Sequence, residues 1–262
     1  MNFKIAIDGP AGAGKSTIAK IVAKKLGIEY LDTGAMYRAI TLKALRLGIN
    51  LENESEYEFI YSTKIDFDNG QLFLDGEDVS EAIRSLEVTN NASLVSSFGN
   101  VRTEMVEQQR KLGGVKAVIV DGRDIGTVVF PDAELKVFLI ASPEVRAMRR
   151  MKEREEKGVN TSTLEETIAE INARDFKDST RAISPLKKAD DAIEVDTSNM
   201  DIDAVVERII CLVTERGFKM EDVKVVNEEV KEETSVSVEE GATSEQAPQL
   251  KELQLVDRKS VV

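Results

Sequence analysis

Two hydrophobic rhythms alternate along this chain. Phe3, Ile5 and Ile7 open it as a short strand that ends on Asp8. From about Lys15 to Leu26 the period becomes helical: Ile18, Ile21, Val22 and Leu26 recur on one face, and Gly27 supplies a stop. A short strand over Glu29 to Leu31 precedes Asp32-Thr33-Gly34. A second helix then carries Met36, Tyr37, Ile40 and Leu45 and closes at Gly48. Ile65 and Phe67, then Leu72 and Leu74, alternate with polar residues about Asn69-Gly70, with a further turn at Asp75-Gly76. That pattern predicts a hairpin or small three-stranded antiparallel sheet inserted into a βα-repeating chain. Helices are predicted over roughly 87–97 and 101–112. Ala117 to Val120 is a continuous apolar run that ends in the carboxylate of Asp121, as expected of a buried parallel strand, and Leu135 to Ile140 reads as another such strand. Charged helices are expected over 143–157 and 164–177, a fifth strand over 192–196 and a closing helix over 201–216. Strands alternating with helices predict an α/β fold, a doubly wound five-stranded parallel sheet carrying a small antiparallel β insertion.

Composition narrows the chemistry. The 262 residues allow one sizeable α/β domain or two small ones. The net charge of -13 argues against a binder of nucleic-acid polymers, which usually presents a basic face. The chain contains no histidine, which excludes a histidine-based triad and any histidine-ligated metal. No apolar run approaches the roughly 20 residues of a membrane helix, and no signal-like core precedes Asp8. The expectation is therefore a cytoplasmic protein with no membrane partner. The single cysteine, Cys211, lies among Ile209, Ile210, Leu212 and Val213, so burial by packing is expected. After about Met220, Glu, Ser and Thr recur without any aromatic residue. Residues 221–262 are expected to form an acidic disordered tail, with Leu250, Leu253 and Leu255 as a candidate docking segment.

The most informative segment joins the first strand to the first helix. Gly9-Pro10-Ala11-Gly12-Ala13-Gly14-Lys15-Ser16, followed by Thr17, has the spacing of a phosphate-binding P-loop. Glycines let successive backbone amides turn toward nucleotide phosphates, and the helix N-terminus adds positive dipole. Lys15 is positioned to reach the β- and γ-phosphates of ATP, and Ser16 to ligate Mg2+. A Rossmann reading of Gly12-x-Gly14 fails because Thr17 stands at the third glycine position. Asp121 ends a strand that lies beside the loop in such folds. It is a candidate outer-sphere magnesium carboxylate, or alternatively a turn cap.

Arginines carry the remaining signal. Arg146, Arg149, Arg150 and Arg154 fall at helical spacings. They read as a helical lid presenting guanidinium groups to the transferring phosphoryl, or as an exposed helix paired with Glu144, Glu153 and Glu155. A second set, Arg38, Arg102, Arg123, Arg174 and Arg181, is spread over other elements. Gly122-Arg123-Asp124 sits just past a strand tip, where ligands bind in such sheets. Asp124 either reads a base edge or pairs with the arginine.

GPAGAGKST, LDTGAMYR at 31–38, VDGRDIGTVVFPDA at 120–133 and RDFKDSTRAISPL at 174–186 together resemble the bacterial cytidylate kinases, within the nucleoside monophosphate kinases. The resemblance spans about Phe3 to Phe218. It implies transfer of the γ-phosphoryl of ATP to CMP or dCMP. It implies that Ser93, Arg102 and Asp124 hold the cytosine edge and that Tyr37, Arg38 and Arg123, near Thr33, surround the acceptor phosphate. Arg174, Asp178 and Arg181 are implied to lie around the ribose and phosphates. The expected catalytic set is Lys15, Arg123, Arg149, Arg150 and Arg181. The expected organisation is one P-loop domain over 1–220, with a monophosphate-binding region over about 34–112, including the insertion at 63–80, and a lid over about 143–177; a monomer is expected. Two other readings compete. A shikimate- or dephospho-coenzyme-A-type kinase shares the loop but does not call for the Gly-Arg-Asp segment. A binding module would hold ATP without turnover, and a GTPase would need an Asn-Lys-x-Asp segment that the sequence lacks.

Overall fold

The computed structural model describes residues 3–219 apart from 69, 115, 157 and 159–161. The expectations for the tail at 221–262, and the Asn69 half of the predicted turn, lie outside the described residues. The described residues belong to one compact unit.

In chain order, β1 (Lys4–Asp8) enters the phosphate loop, α1 (Lys15–Leu26) leaves it, and β2 (Glu29–Asp32) and α2 (Thr33–Leu47) follow. A 3-10 segment, Glu54–Ser62, leads into β3 (Ile65–Asp68), β4 (Gln71–Leu74) and β5 (Glu77–Asp78). Then come α3 (Leu86–Val95), α4 (Gly99–Gly113), β6 (Val118–Gly122), a π-helical turn at Ile125–Val129 and β7 (Leu135–Ile140). The unit finishes with α5 (Pro143–Glu156), α6 (Leu164–Thr180), β8 (Ile193–Asp196) and α7 (Ile202–Glu215).

The main sheet has five strands, all parallel, in the order β2-β6-β1-β7-β8. Strand β1 is central, so the chain must cross to both sides of it. Ligands bind at the carboxyl ends of strands beside such a switch point. Register brings the acidic tips together there: Asp8 lies opposite Gly122, and Asp32 opposite Asp121. Alternation along the strands divides the core. Ile5, Ile7, Ile119, Val137 and Leu139 pack with α1 and α7 residues on one face. Ala6, Val118 and Val120 pack on the other with residues of α2, α4 and the three-stranded antiparallel sheet β3-β4-β5.

The structure departs from the sequence reading at several places. The 3-10 segment Glu54–Ser62 was not predicted. Its buried residues, Tyr57 and Ile60, are three apart, the 3-10 repeat, and too short a set to register as an amphipathic helix. The π-helical turn after Asp124 has no periodic signal of its own. Cys211 is exposed, not buried: it lies on the outer side of α7, where its thiol donates to Glu215 Oε1 at 3.3 Å, while Ile209, Leu212 and Val213 take the inner face. Adjacency in sequence to apolar residues does not put a helical residue on their face.

Candidate active site

The phosphate loop bends tightly because glycine permits it. Gly9 has φ of 145°, and a Cβ there would lie 2.1 Å from the Leu139 carbonyl oxygen, so the loop can press against β7 only without a side chain. Gly14, with φ of 90°, ends the loop at the start of α1. Lys15 follows, 5% exposed, and its ammonium donates to the Pro10 carbonyl at 2.7 Å.

Behind the loop stands Asp121. Ser16 Oγ donates to its Oδ2 at 2.7 Å, and Tyr30 Oη donates to its Oδ1 at 2.8 Å. Thr33 Oγ1 donates to the Asp121 backbone carbonyl at 2.7 Å. Burial, followed by the charge of Asp32, pushes the Asp121 carboxyl up. A hydroxyl backed this closely by a carboxylate suits Mg2+, with Ser16 as a direct oxygen donor and Asp121 placed to act through water. Among the described residues there is no cluster of three or more acidic or thiol ligands, so phosphate oxygens and water would supply the rest of the coordination shell.

A second group collects at the tip of β6. Arg102, 1% exposed on α4, donates to Asp124 Oδ2 at 2.5 Å and to the Ser96 carbonyl at 2.9 Å. Its guanidinium lies 5.3 Å from the Tyr37 ring centre. Arg181 Nη2 stands 3.6 Å from the other Asp124 oxygen. Arg123 Nε donates to Asp178 Oδ2 at 3.0 Å, and Asp178 also faces Arg181 at 3.9 Å. Helix α6 continues past the predicted end at 177, which brings Asp178 into this group. Arg38 donates to Asp32 at 3.2 Å beside it. Ser93 Oγ, Arg102 Nε and Arg174 Nε are buried without a hydrogen-bond partner among the described residues.

The charges of the two groups interact. Burial pushes the Lys15 ammonium down to about 7, and Arg123 and then Arg174 push the same way against Asp121 and Asp8. Arg174 is pushed down to about 10 by burial and then by Arg123, with Arg150 and Arg38 adding to it. Arg123 and Arg174 thus lie close enough to Lys15, and Arg123, Arg150 and Arg38 close enough to Arg174, to disfavour the charge on those two buried groups, which an anionic ligand would relieve.

The arginines of α5 divide by role. Arg146 is buried and committed: it donates to the carbonyls of Ala11 and Ala141 at 3.0 and 3.1 Å and pairs with Asp175. Arg154 pairs with Glu170 of α6 at 2.8 Å, not with the glutamates of its own helix. Arg149 donates to the Thr197 carbonyl at 2.7 Å and reaches the Ala13 carbonyl at 3.4 Å, so it lies over the loop. Arg150 faces Glu153 at 3.5 Å and acts on Arg174.

Three residues escaped the sequence reading. Asp175 accepts from the Ala11 amide at 3.0 Å, and no local pattern marks it. Tyr30 orients Asp121 from an outer strand. Asp8 accepts from the amides of Ile125 and Gly126 at 2.8 and 2.7 Å. Its signal was present, since it ends an apolar strand as Asp121 does.

The geometry can be compared with known proteins. The family model described as cytidylate kinase matches residues 5–215. A cytidylate kinase of Clostridioides difficile (strain 630) is 55% identical over 210 residues, covering 80% of this chain and 97% of that protein. A cytidylate kinase of Bacillus cereus (strain ATCC 10987 / NRS 248) is 53% identical over 217 residues, covering 81% and 96%. A solved structure of shikimate kinase from Acinetobacter baumannii covers 82% of this chain and 95% of its own, at 16% identity and a TM-score of 0.40, too slight a likeness to bear on the substrate. The phosphate loop, the Gly-Arg-Asp segment at the strand tip and the match along nearly the whole described unit lead to one assignment: the chain belongs to the cytidylate kinase family.

Proposed function

We propose that the protein transfers the γ-phosphoryl group of ATP to CMP or dCMP, with ATP on the loop Gly9–Thr17 and the acceptor held at the tips of β2 and β6. The observation that carries this reading is the gathering of cationic side chains around the phosphate loop: buried Lys15 at its end, Arg123 aimed by Asp178 at 3.0 Å, Arg38 held by Asp32 at 3.2 Å, and Arg174, with Arg150 close enough to act on it. A site of that kind suits two phosphate groups brought face to face. Phosphoryl transfer asks little covalent chemistry of the protein beyond holding donor and acceptor in line and neutralising charge.

Arg38, Arg123 and Arg174 are assigned to the acceptor phosphate, with Asp178 and Arg181 beside the ribose and phosphates and Thr33 and Tyr37 lining the same side. Asp178 holds Arg123 at 3.0 Å, which sets the direction of its guanidinium. Arg149 and Arg150, on α5, are assigned to the donor side and the transferring phosphoryl. Ser16, backed by Asp121, would hold Mg2+. When bound, the ion would neutralise charge on the β- and γ-phosphates.

Base choice falls to Asp124, with Ser93 and Arg102. Asp124 gives one oxygen to Arg102 at 2.5 Å and keeps acceptor capacity on the other. That oxygen would accept from the cytosine amino group, whereas a uracil carbonyl would meet it with opposed lone pairs. Every assigned residue lies in one compact unit, so the reading needs a single chain and no polymeric nucleic acid or membrane partner. A coupled ADP-release assay across CMP, dCMP, UMP and AMP tests it. Turnover with CMP and dCMP well above UMP and AMP is expected; ADP release with another acceptor but not with CMP overturns it.

A further inference from the structure

The loop that carries Arg123 and Asp124 has no regular neighbour in the sheet to pair with beyond Gly122. The two backbone amides that follow Asp124 are held by one side chain. Asp8 Oδ1 accepts from the Ile125 amide at 2.8 Å and Oδ2 from the Gly126 amide at 2.7 Å. Both amides follow Asp124 directly, and the Asp124 carbonyl in turn accepts from Val128 and Val129 at 2.8 and 3.2 Å, which makes the π-helical turn. Gly126 leaves little room between Asp8 and the Lys136 stem: a Cβ there would lie 3.4 Å from Asp8 Oδ2 and 3.1 Å from Lys136 Cδ. Asp8 is also the last residue of β1, so its own backbone leads straight into Gly9 and the phosphate loop.

We infer that Asp8 is a positioning residue that sets the Arg123-Asp124 loop against the phosphate loop, and so fixes where the acceptor nucleotide lies relative to ATP. The inference rests on the assignment of Arg123 and Asp124 to the acceptor, made above. A carboxylate suits this task because two oxygens accept from two adjacent amides without needing a donor of their own. Asparagine cannot do the same, since one of its two terminal atoms is a donor and would face an amide N–H. Asp8 touches neither nucleotide in this scheme and acts through backbone alone. Burial raises its carboxyl to about 6, opposed by the Gly126 and Ile125 amides; Asp124 adds to the rise and Lys15 opposes it, so the ion prevails at neutral pH.

The test compares Asp8→Asn, Asp8→Ser and Asp124→Ala with the unaltered protein at pH 7.5, measuring KM for CMP, KM for ATP, kcat and the CMP-to-UMP preference. Asp8→Ser guards against a variant that fails to fold, because a hydroxyl can rotate to accept from one amide without presenting a fixed donor to the other. Loss of one charge-assisted bond at the loop is expected to raise KM for CMP about tenfold while KM for ATP moves about threefold or less, and to narrow the CMP-to-UMP preference. Amide exchange at Ile125 and Gly126 should quicken by about tenfold or more, with Ala6 and Ile7 of β1 unchanged. If both Asp8 variants change the two KM values together, or leave the base preference intact, the inference is overturned. If Asp124→Ala leaves KM for CMP and the base preference where they were, the acceptor assignment itself is wrong and the inference falls with it. A shift with Asp124→Ala and none with either Asp8 variant overturns the inference alone.

Discussion

Binding of ATP should draw a proton onto Lys15. In the free protein its ammonium is pushed from 10.5 down to about 7, by burial first and then by Arg123 and Arg174. The phosphates of ATP would set negative charge against that ammonium and restore its preference for the charged form. At pH 8 a group that titrates near 7 is about nine-tenths neutral, so binding should take up about 0.9 proton. Above pH 7 the apparent affinity for ATP should then fall nearly tenfold per pH unit, about 1.4 kcal/mol. Stability moves in a definite direction as well. The folded pKa lies below the unfolded one, so the unfolded chain binds more protons between about 7 and 10.5. This lysine therefore adds stability as pH rises through that window, and below 7 its buried charge opposes folding. The assay is titration calorimetry with ATP between pH 7.5 and 9, in two buffers of different ionisation enthalpy. Asp8, which titrates at about 6, stays ionised throughout that range. Lys15→Arg serves as the control, because its guanidinium stays charged. A binding heat at pH 8 that is independent of buffer, or a Lys15→Arg variant with the same pH slope, refutes the reasoning.

Asp124→Ala should reduce discrimination between CMP and UMP by about tenfold in kcat/KM, the weight of one charge-assisted hydrogen bond; an unchanged ratio moves base reading elsewhere. Arg102→Ala leaves Asp124 buried without its 2.5 Å partner. That should cost about 3–5 kcal/mol and lower Tm by about 10 °C, and a melting curve shifted by less than about 2 °C contradicts the assigned burial. Gly9→Ala forces a methyl to 2.1 Å from the Leu139 carbonyl at a φ of 145°. Displacement of the loop should abolish ATP binding by calorimetry, and retained affinity within about twofold would show that the loop does not lean on β7 as drawn.

The sheet and its helices were legible because their signals are local. The apolar run at 117–120 has one good solution, a strand buried on both faces, and β6 lies there; the largely apolar stretch at 135–140 forms β7, with Lys136 as its one charged residue. The phosphate loop was legible for the same reason, since its glycines and Lys15 are consecutive. Cys211 was misread because its neighbours along the chain are not its neighbours around the helix.

The sequence by itself determined the alternation of strands and helices, the small antiparallel sheet, the loop and the identity of the charged groups available to hold a nucleotide. Those depend on period and turn chemistry within a few residues. Only the tertiary structure decided which arginines face the site. Arg146 and Arg154 share a helix with Arg149 and Arg150, yet the first two are consumed by Asp175 and Glu170 of α6. Asp8 and the amides of Ile125 and Gly126 are separated by more than 100 positions, at |i−j| of 117 and 118. Parallel pairing of β1 with β6 brings them together, because strands far apart in sequence end at the same edge of the sheet. Spacing along a chain can show what a residue is able to do, but its partner is chosen by the fold.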